Sequence, residues 1–399
     1  MLDLTDLLAD LVSIPSVNPM GRDLAGPHLF ETRLTDYLEG FFRELDVPFE
    51  RQWVSEGREN LVARVDSPGS PVTLLFEAHQ DTVPAENMTI DPFSPLVKDG
   101  RLYGRGACDV KGGLAAMLGA FARVANERPG PAASVVMACT VDEEFTGSGA
   151  LRLARLWTDG AGSEASLIRR PPDFAIVAEP TELDIVVAHK GAIRWKIRTL
   201  GRACHSSRPE DGVNAIYKMA KVVDALADYA GQLPRRVEAH PLCGVATLSV
   251  GRIEGGVSTN VVPEECTIEI DRRLLPGENG QNARLDVEAF LRDRLGDDVG
   301  FEMLEPWTNS SALDDSSNGR LAELLGGAVD SVLGSHRKRG VTYGTDASKF
   351  SVTGVPCVVF GPGSIAQAHT CDEWISLDQL DRASEILFRL IQHAGKLQR

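Results

Sequence analysis

Several short stretches of this chain place acids or imidazoles at the ends of apolar runs. The run 74–78 reads as a buried strand and ends in His79-Gln80-Asp81. Residues two apart in an extended chain point to one side, so His79 and Asp81 share a face, and a carboxylate holding one ring nitrogen presents a neutral imidazole to a metal. Thirty residues on, Asp109 stands in Tyr103-Gly104-Arg105-Gly106-Ala107-Cys108-Asp109-Val110-Lys111-Gly112-Gly113, ahead of a helical run. Two glycines before this carboxylate and two after it describe a backbone bent tightly around it. Asp142-Glu143-Glu144 follow the apolar run 134–141, Glu179 follows 174–178, and His369 lies near the C-terminus. Alone, a His-x-Asp pair is often an ordinary structural hydrogen bond. A glycine-rich turn before a helix could cradle phosphate, but neither the Walker spacing nor Gly-x-Gly-x-x-Gly is present. Recurrence of acids and histidines at the ends of apolar runs would be an odd coincidence for a purely structural role.

Positioning these groups requires strands alternating with helices. Apolar periodicity predicts helices at 2–13 and 28–45, strands at 60–65 and 74–78, a helix at 115–125, a strand at 134–141, a helix at 149–157 and a strand at 174–178. Residues 13–19 are a loop by their prolines. This is an α/β pattern: an open mixed sheet flanked by helices, with the site at the strand edge. Near residue 188 the pattern changes. Strand 193–200, helix 213–229, strands 245–253 and 266–274, helix 285–295 and strand 301–304 follow the β-α-β-β-α-β order of a ferredoxin-like α+β domain. Helix 319–333, strand 355–360 and helix 381–396 then resume the first pattern. The expectation is a catalytic domain split into 1–187 and 307–399, with an inserted lid or dimerisation domain at 188–306.

Composition limits the rest. A chain of 399 residues exceeds one compact core, and 43% hydrophobic with 25% charged residues fits a globular protein. A net charge of −16, from 41 basic and 57 acidic residues, argues against nucleic acid or an anionic membrane as partner. The first residues carry acids where a signal peptide needs bases, and no uncharged apolar run reaches membrane-spanning length. Seven cysteines without a Cys-x-x-Cys pair predict neither a disulfide framework nor a thiolate zinc knuckle. The expected compartment is the cytoplasm.

Taken in order and at these separations, His79-Gln80-Asp81, the segment 104–113, Asp142-Glu143-Glu144, Ala178-Glu179-Pro180 and Gln367-Ala368-His369 resemble the M20 metallopeptidases. That family includes acetylornithine deacetylase, succinyl-diaminopimelate desuccinylase, aminoacylase-1 and glutamate carboxypeptidases. Val110 stands where methionine is frequent. The resemblance implies one zinc held by His79, Asp109 and Glu179, and a second held by Asp109, Glu144 and His369, with Asp109 bridging and a cis bond at Asp109–Val110. Cobalt or manganese would suit the same donors, and the absence of thiolates leaves positions for water. Glu143 is implied as the general base and Asp81 as the partner of His79.

Within the insert, Gly201-Arg202-Ala203-Cys204-His205-Ser206-Ser207 resembles the family's lid segment, whose histidine reaches a partner subunit's site and binds the developing oxyanion. Asn260 and Arg273 resemble the residues that hold a substrate carboxylate, while Arg272, one step out of phase, is expected to face the other way. Thr345 and Gly363 lie in stretches that resemble substrate-lining loops. His28, His189, His240, His336 and His393 are expected to be structural or exposed. The implied activity is removal of an N-acyl group from an amino acid, of the acetylornithine deacetylase or succinyl-diaminopimelate desuccinylase kind, by a homodimer joined through the lid. Cleavage of short peptides, as by a carboxypeptidase or dipeptidase, is the alternative, and a non-catalytic binding protein on the same fold would require a lost ligand or base.

Overall fold

The computed structural model describes residues 2–158, 166–296 and 299–397. The chain divides into two compact units, Met1–Val187 with Asp315–Arg339 and Thr345–Arg399, and Ala188–Asp314 with Gly340–Gly344. In chain order the first unit begins with α1 (Leu4–Ser13), α2 (Thr32–Glu44), β1 (Phe49–Ser55), β2 (Arg58–Val65), β3 (Thr73–His79), β4 (Leu96–Lys98), β5 (Arg101–Tyr103), α3 (Gly112–Glu127), β6 (Ser134–Thr140), α4 (Ser148–Thr158), β7 (Phe174–Val177) and β8 (Ile185–His189). The second unit contributes β9 (Gly191–Leu200), α5 (Ala215–Arg236), β10 (Thr247–Gly255), β11 (Glu265–Leu274), α6 (Gly280–Leu295), β12 (Glu302–Met303) and β13 (Thr308–Ser310). Then come α7 (Gly319–Leu333), β14 (Lys338–Val341), α8 (Ala347–Ser351), β15 (Cys357–Val359), β16 (Trp374–Ser376) and α9 (Leu377–Ala394).

The large sheet of the first unit runs β1-β2-β6-β3-β7-β15-β8-β14. Its centre is parallel, β3 pairing with both β6 and β7 and β15 with β7, while β1 and β2 are antiparallel additions at one side. Alternation sets what each strand buries. Leu74, Phe76 and Ala78 of β3 enter a core with Leu7, Leu11, Leu38, Phe42, Leu118, Phe121, Leu387 and Ile391 of the helices, and Leu75 and Glu77 point to the opposite face. Both faces are covered, so β3 and β6 are buried almost throughout, as central parallel strands require. Side-chain caps fix helix starts: Asp3 accepts the amides of Thr5 and Asp6, and Ser376 accepts that of Gln379.

In the second unit the sheet order is β10-β11-β9-β12, with β13 also on β9. Ile193, Trp195 and Ile197 of β9 and Ile268 and Ile270 of β11 pack under Met219, Val222 and Leu226 of α5 and Val287 and Leu291 of α6. The unit extends past the expected boundary at 306 because Thr308–Ser310 pairs antiparallel with residues 192–194 and Leu313 bridges His189. Arg272 and Arg273 face opposite ways, as adjacent strand residues must. Arg272 is the buried one, paired with Glu278 at 2.6 Å, whereas Arg273 is half-buried beside Asp271 at 2.7 Å. Among the described residues no helix is long and apolar enough to cross a membrane.

Candidate active site

Strands β6, β3, β7 and β15 lie side by side and parallel, so their C-terminal ends share one edge of the sheet. His79 is the last residue of β3, Glu143 and Glu144 follow β6, Glu179 follows β7, and His369 is in the segment after β15. Such an edge, where several chain connections diverge, is where an α/β sheet holds its ligands. Asp109 arrives from the side, in a helical turn, Ala107–Lys111, broken at Asp109 (φ −121°, ψ 93°) just before α3. The bond Asp109–Val110 is cis.

The flanking glycines serve two different needs. Gly106 has φ +81°, which lets the chain turn. Gly112 has ordinary helical angles, and a Cβ there would come within 2.2 Å of Ile375 Cδ1 and 2.6 Å of the Ala107 carbonyl. The second pair therefore marks close packing, not the bend that the sequence suggested for all four.

Two groups of side chains converge. In each of the sets His79–Asp109–Glu179 and Asp109–Glu144–His369, one donor atom per residue lies within 4.8 Å of the others. Asp109 is common to both, with Oδ1 3.3 Å from His79 Nε2 and Oδ2 3.3 Å from His369 Nε2. His369 Nε2 is also 3.3 Å from Glu144, and its ring is 51% exposed, the open side of the cluster. His369 has a left-handed backbone (φ 62°), as does Asp142 (φ 67°), and such conformations are held only where surrounding contacts enforce them.

Asp81 does more than the sequence implied. The His79 Nδ1 contact is to the Asp81 backbone carbonyl at 2.9 Å, and the Asp81 carboxylate is 3.6 Å away. That carboxylate instead accepts the amides of Glu143 and Glu144, each at 3.1 Å, and the Asn18 side chain at 2.8 Å. It thus fixes the turn that carries both glutamates. Asp142 supports the same turn, accepting from Arg58 at 2.8 Å, Asn18 at 3.0 Å and Ser148 at 2.7 Å. Arg58 in turn reaches Glu31 at 3.0 Å, whose carboxyl is pushed up to about 8 by burial and by Asp81.

The electrostatics are those of acids crowded out of water. Burial, then Asp109, pushes the Glu144 carboxyl up to about 7, and burial with Asp109 and Glu143 raises Glu179. Glu143 is raised by burial and by the neighbouring Asp346, itself pushed up to about 6 by burial. Burial opposes ionisation of Asp109 too, but the two imidazoles overcome it and hold its carboxyl well below the usual range. Asp109 and Glu144 push the His369 imidazole up to about 10. His79 Nε2 is buried and points at Asp109 without the geometry of a hydrogen bond. A buried imidazole nitrogen facing a carboxylate, beside glutamates whose carboxyls burial raises, is the donor chemistry of a cation site. The residues fit divalent metal, and two imidazoles with three carboxylates and no thiolate suit zinc, cobalt or manganese.

Among the other sequence-derived candidates, Thr345 and Gly363 belong to the first unit. Thr345 is buried just before α8, its hydroxyl accepting the Ala347 amide at 3.2 Å. Gly363 (φ 90°) is packed where a Cβ would meet Cys108 Sγ at 2.6 Å, and its amide is held by Gln379 at 2.8 Å. His205, Asn260 and Arg273 belong to the second unit. There His205 bridges Val261, and the Ser206 amide donates to the Asn260 carbonyl at 3.1 Å, so the first two are neighbours. Sequence reasoning passed over Asn18, Asp346 and Glu373. Asn18 sits in a proline-marked loop, and the other two are single acids beside residues already singled out, with no periodicity to mark them.

A family model described as peptidase family M20/M25/M40 matches residues 75–393. The chain belongs to that family. Acetylornithine deacetylase of Photorhabdus laumondii is 30% identical over 407 residues, covering 97% of this chain and 96% of its own length. The protein of the same name from Myxococcus xanthus is 30% identical over 372 residues, covering 90% and 91%. An M20 family metallo-carboxypeptidase from Sulfolobus solfataricus shares the fold, with a TM-score of 0.77 at 18% identity over 100% of both chains. This M20 chain is accordingly a metallohydrolase acting on amide or peptide bonds.

Proposed function

We propose that this protein is a dinuclear zinc-dependent amidohydrolase that removes an N-acyl group from an amino acid, with Glu143 as its base. One observation carries the reading: two three-residue donor sets share Asp109, and a half-buried non-ligand glutamate, Glu143, stands beside them. Full-length similarity to acetylornithine deacetylases supports the choice of substrate class. His79, Asp109 and Glu179 would hold one ion and Asp109, Glu144 and His369 the other. When bound, the ions would polarise the scissile carbonyl and lower the pKa of water.

The remaining steps belong to the chain's own groups. Glu143 takes the proton of the attacking water and later returns it to the leaving amine, and burial beside Asp346 raises its carboxyl above the ordinary range. Asp81, through the Glu143 and Glu144 amides, keeps the base and its ligand neighbour in fixed relation. From the second unit, His205 would donate to the developing oxyanion, and Asn260 and Arg273 would hold the substrate carboxylate, roles that rest on the motif resemblance. The second unit is also the proposed dimerisation domain: β10 is an edge strand, with Ile253 58% and the following Val257 91% exposed.

Adjacent substitutions test the assignment. Glu143→Gln keeps size but removes the base, so kcat should fall by roughly 10²–10⁴-fold with metal content unchanged. Glu144→Gln should lose metal and thermal stability, because a ligand has gone. Metal loss from the first variant and retention by the second would exchange the roles. A kinetic screen of acetyl, succinyl, formyl and peptidyl substrates with zinc and cobalt identifies the acyl group. Turnover confined to dipeptides would replace the deacylase reading with a peptidase.

A further inference from the structure

Glu373 lies four residues beyond His369 and is wholly buried. A carboxylate in such a place requires partners, and this one has four. Its Oε1 accepts the amides of Cys108 and Asp109, both at 2.9 Å. Its Oε2 accepts the Gly106 amide at 3.1 Å and Arg105 Nη1 at 2.6 Å, and Arg105 is itself buried. The backbone joins in: the Gly104 amide donates to the Glu373 carbonyl at 3.0 Å, and Trp374 pairs with Tyr103 in the β16–β5 ladder. One side chain on the His369 segment therefore gathers the three amides of the turn that presents Asp109.

From this geometry we infer that Glu373 is the positioning residue for the shared metal ligand, locking the Asp109 turn to the segment that supplies His369. The inference rests on the two-ion reading above. Asp109 has left the helical conformation, and its amide donates to Glu373. Because the Asp109 carboxylate belongs to both donor sets, a shift of its backbone disturbs both ions together, whereas loss of Glu179 or Glu144 disturbs one.

The donor pattern makes glutamine a poor replacement. Both carboxylate oxygens face two donors each, so whichever way a glutamine amide lies, its NH₂ meets two N–H groups. Aspartate keeps the charge but is one methylene short of the amides. Two ions per wild-type chain must first be shown by titrating apoprotein with zinc against a chromophoric chelator. Glu373→Gln and Glu373→Asp are then titrated alike, below their melting temperatures, and their cobalt absorption spectra recorded. Asn318→Ala serves as a stability control, since Asn318 is buried and bonds Val187 and Cys357, each at 2.9 Å, without belonging to the site. Both affinities should weaken together, by roughly 10–100-fold, in the Glu373 variants, with altered cobalt spectra. Asn318→Ala should melt earlier yet bind both ions as the wild type does. Wild-type affinity in a folded Glu373 variant would overturn the inference, as would metal loss in Asn318→Ala matching its fall in melting temperature. Where Glu373→Gln does not fold, Glu373→Asp decides by the same criterion. A wild type that takes up no second ion would overturn the two-ion reading and this inference with it.

Discussion

Arg272 and Arg273 are adjacent, chemically identical and expected to fail in opposite ways. Arg272 is 1% exposed, and its guanidinium donates to Glu278 Oε1 at 2.6 Å and to the Arg273 carbonyl. Glu278 has one further partner, the Leu275 amide at 2.7 Å. Arg272→Met keeps most of the stem volume, so the cavity cost is small and the main loss is a carboxylate deprived of its counter-charge. Breaking one side of a buried pair costs roughly 3–5 kcal/mol. Glu278 remains 18% exposed, so water recovers part of the loss and about 3 kcal/mol is the expected cost. At a urea m-value of about 1–3 kcal/mol/M the midpoint for this unit should fall by about 1–3 M. Tryptophan fluorescence reports it, since Trp195 is wholly buried in the same core. Arg272→Met with Glu278→Met should recover most of the loss, because no charge is then stranded. Arg273→Ala removes only a half-exposed ion pair with Asp271, worth about 0–1 kcal/mol, and should leave the midpoint almost unmoved. Its effect should appear in KM, raised roughly tenfold or more for a charge-assisted bond of about 1.5–3 kcal/mol. An unmoved midpoint in Arg272→Met, or equal losses at both positions, would refute the argument.

Asp81→Asn should lower kcat by roughly 10–100-fold with metal content retained, because an NH₂ would confront the amide of Glu143 or Glu144; unchanged kcat would show that the turn does not depend on this carboxylate. Burial, then the hydrogen bond to Asp286, pushes the Tyr229 phenol up to about 12, so its contribution to stability is fully present below pH 10 and lost as the pH rises through 12. Ultraviolet titration should show a late-ionising tyrosine that Tyr229→Phe removes, and an unaltered titration curve would contradict this. If His205 serves a partner subunit's site, mixing His205→Ala with Glu143→Ala chains should restore part of the activity, and a fully active monomer would rule that out.

Residue order alone determined a good deal of this protein. The apolar runs ending in His79, Glu144 and Glu179 marked central strands, because a strand covered on both faces must be continuously apolar and can turn polar only where it leaves the sheet. Period-two alternation in β9 and β11 likewise separated Arg272 from Arg273, since adjacent residues of a strand cannot share a face. Local pattern could not find β1 or β8, whose existence depends on pairing partners, nor the second unit's claim on Thr308–Ser310, fixed by register against β9. Nor could it say what the Asp81 carboxylate holds. Composition and spacing declare that a carboxylate is available, but its partners come from chain segments far away in sequence: Asn18 and Glu143 for Asp81, Arg105 and the Asp109 turn for Glu373. Of the candidate donors, His79, Glu144 and Glu179 were legible because each lies at or just past the end of a patterned strand, whereas Asp109 and His369 were marked only by the motifs around them. The groups that hold those donors in place were not legible, because a buried hydrogen bond between distant segments leaves no period in the sequence, and tertiary packing alone decides it.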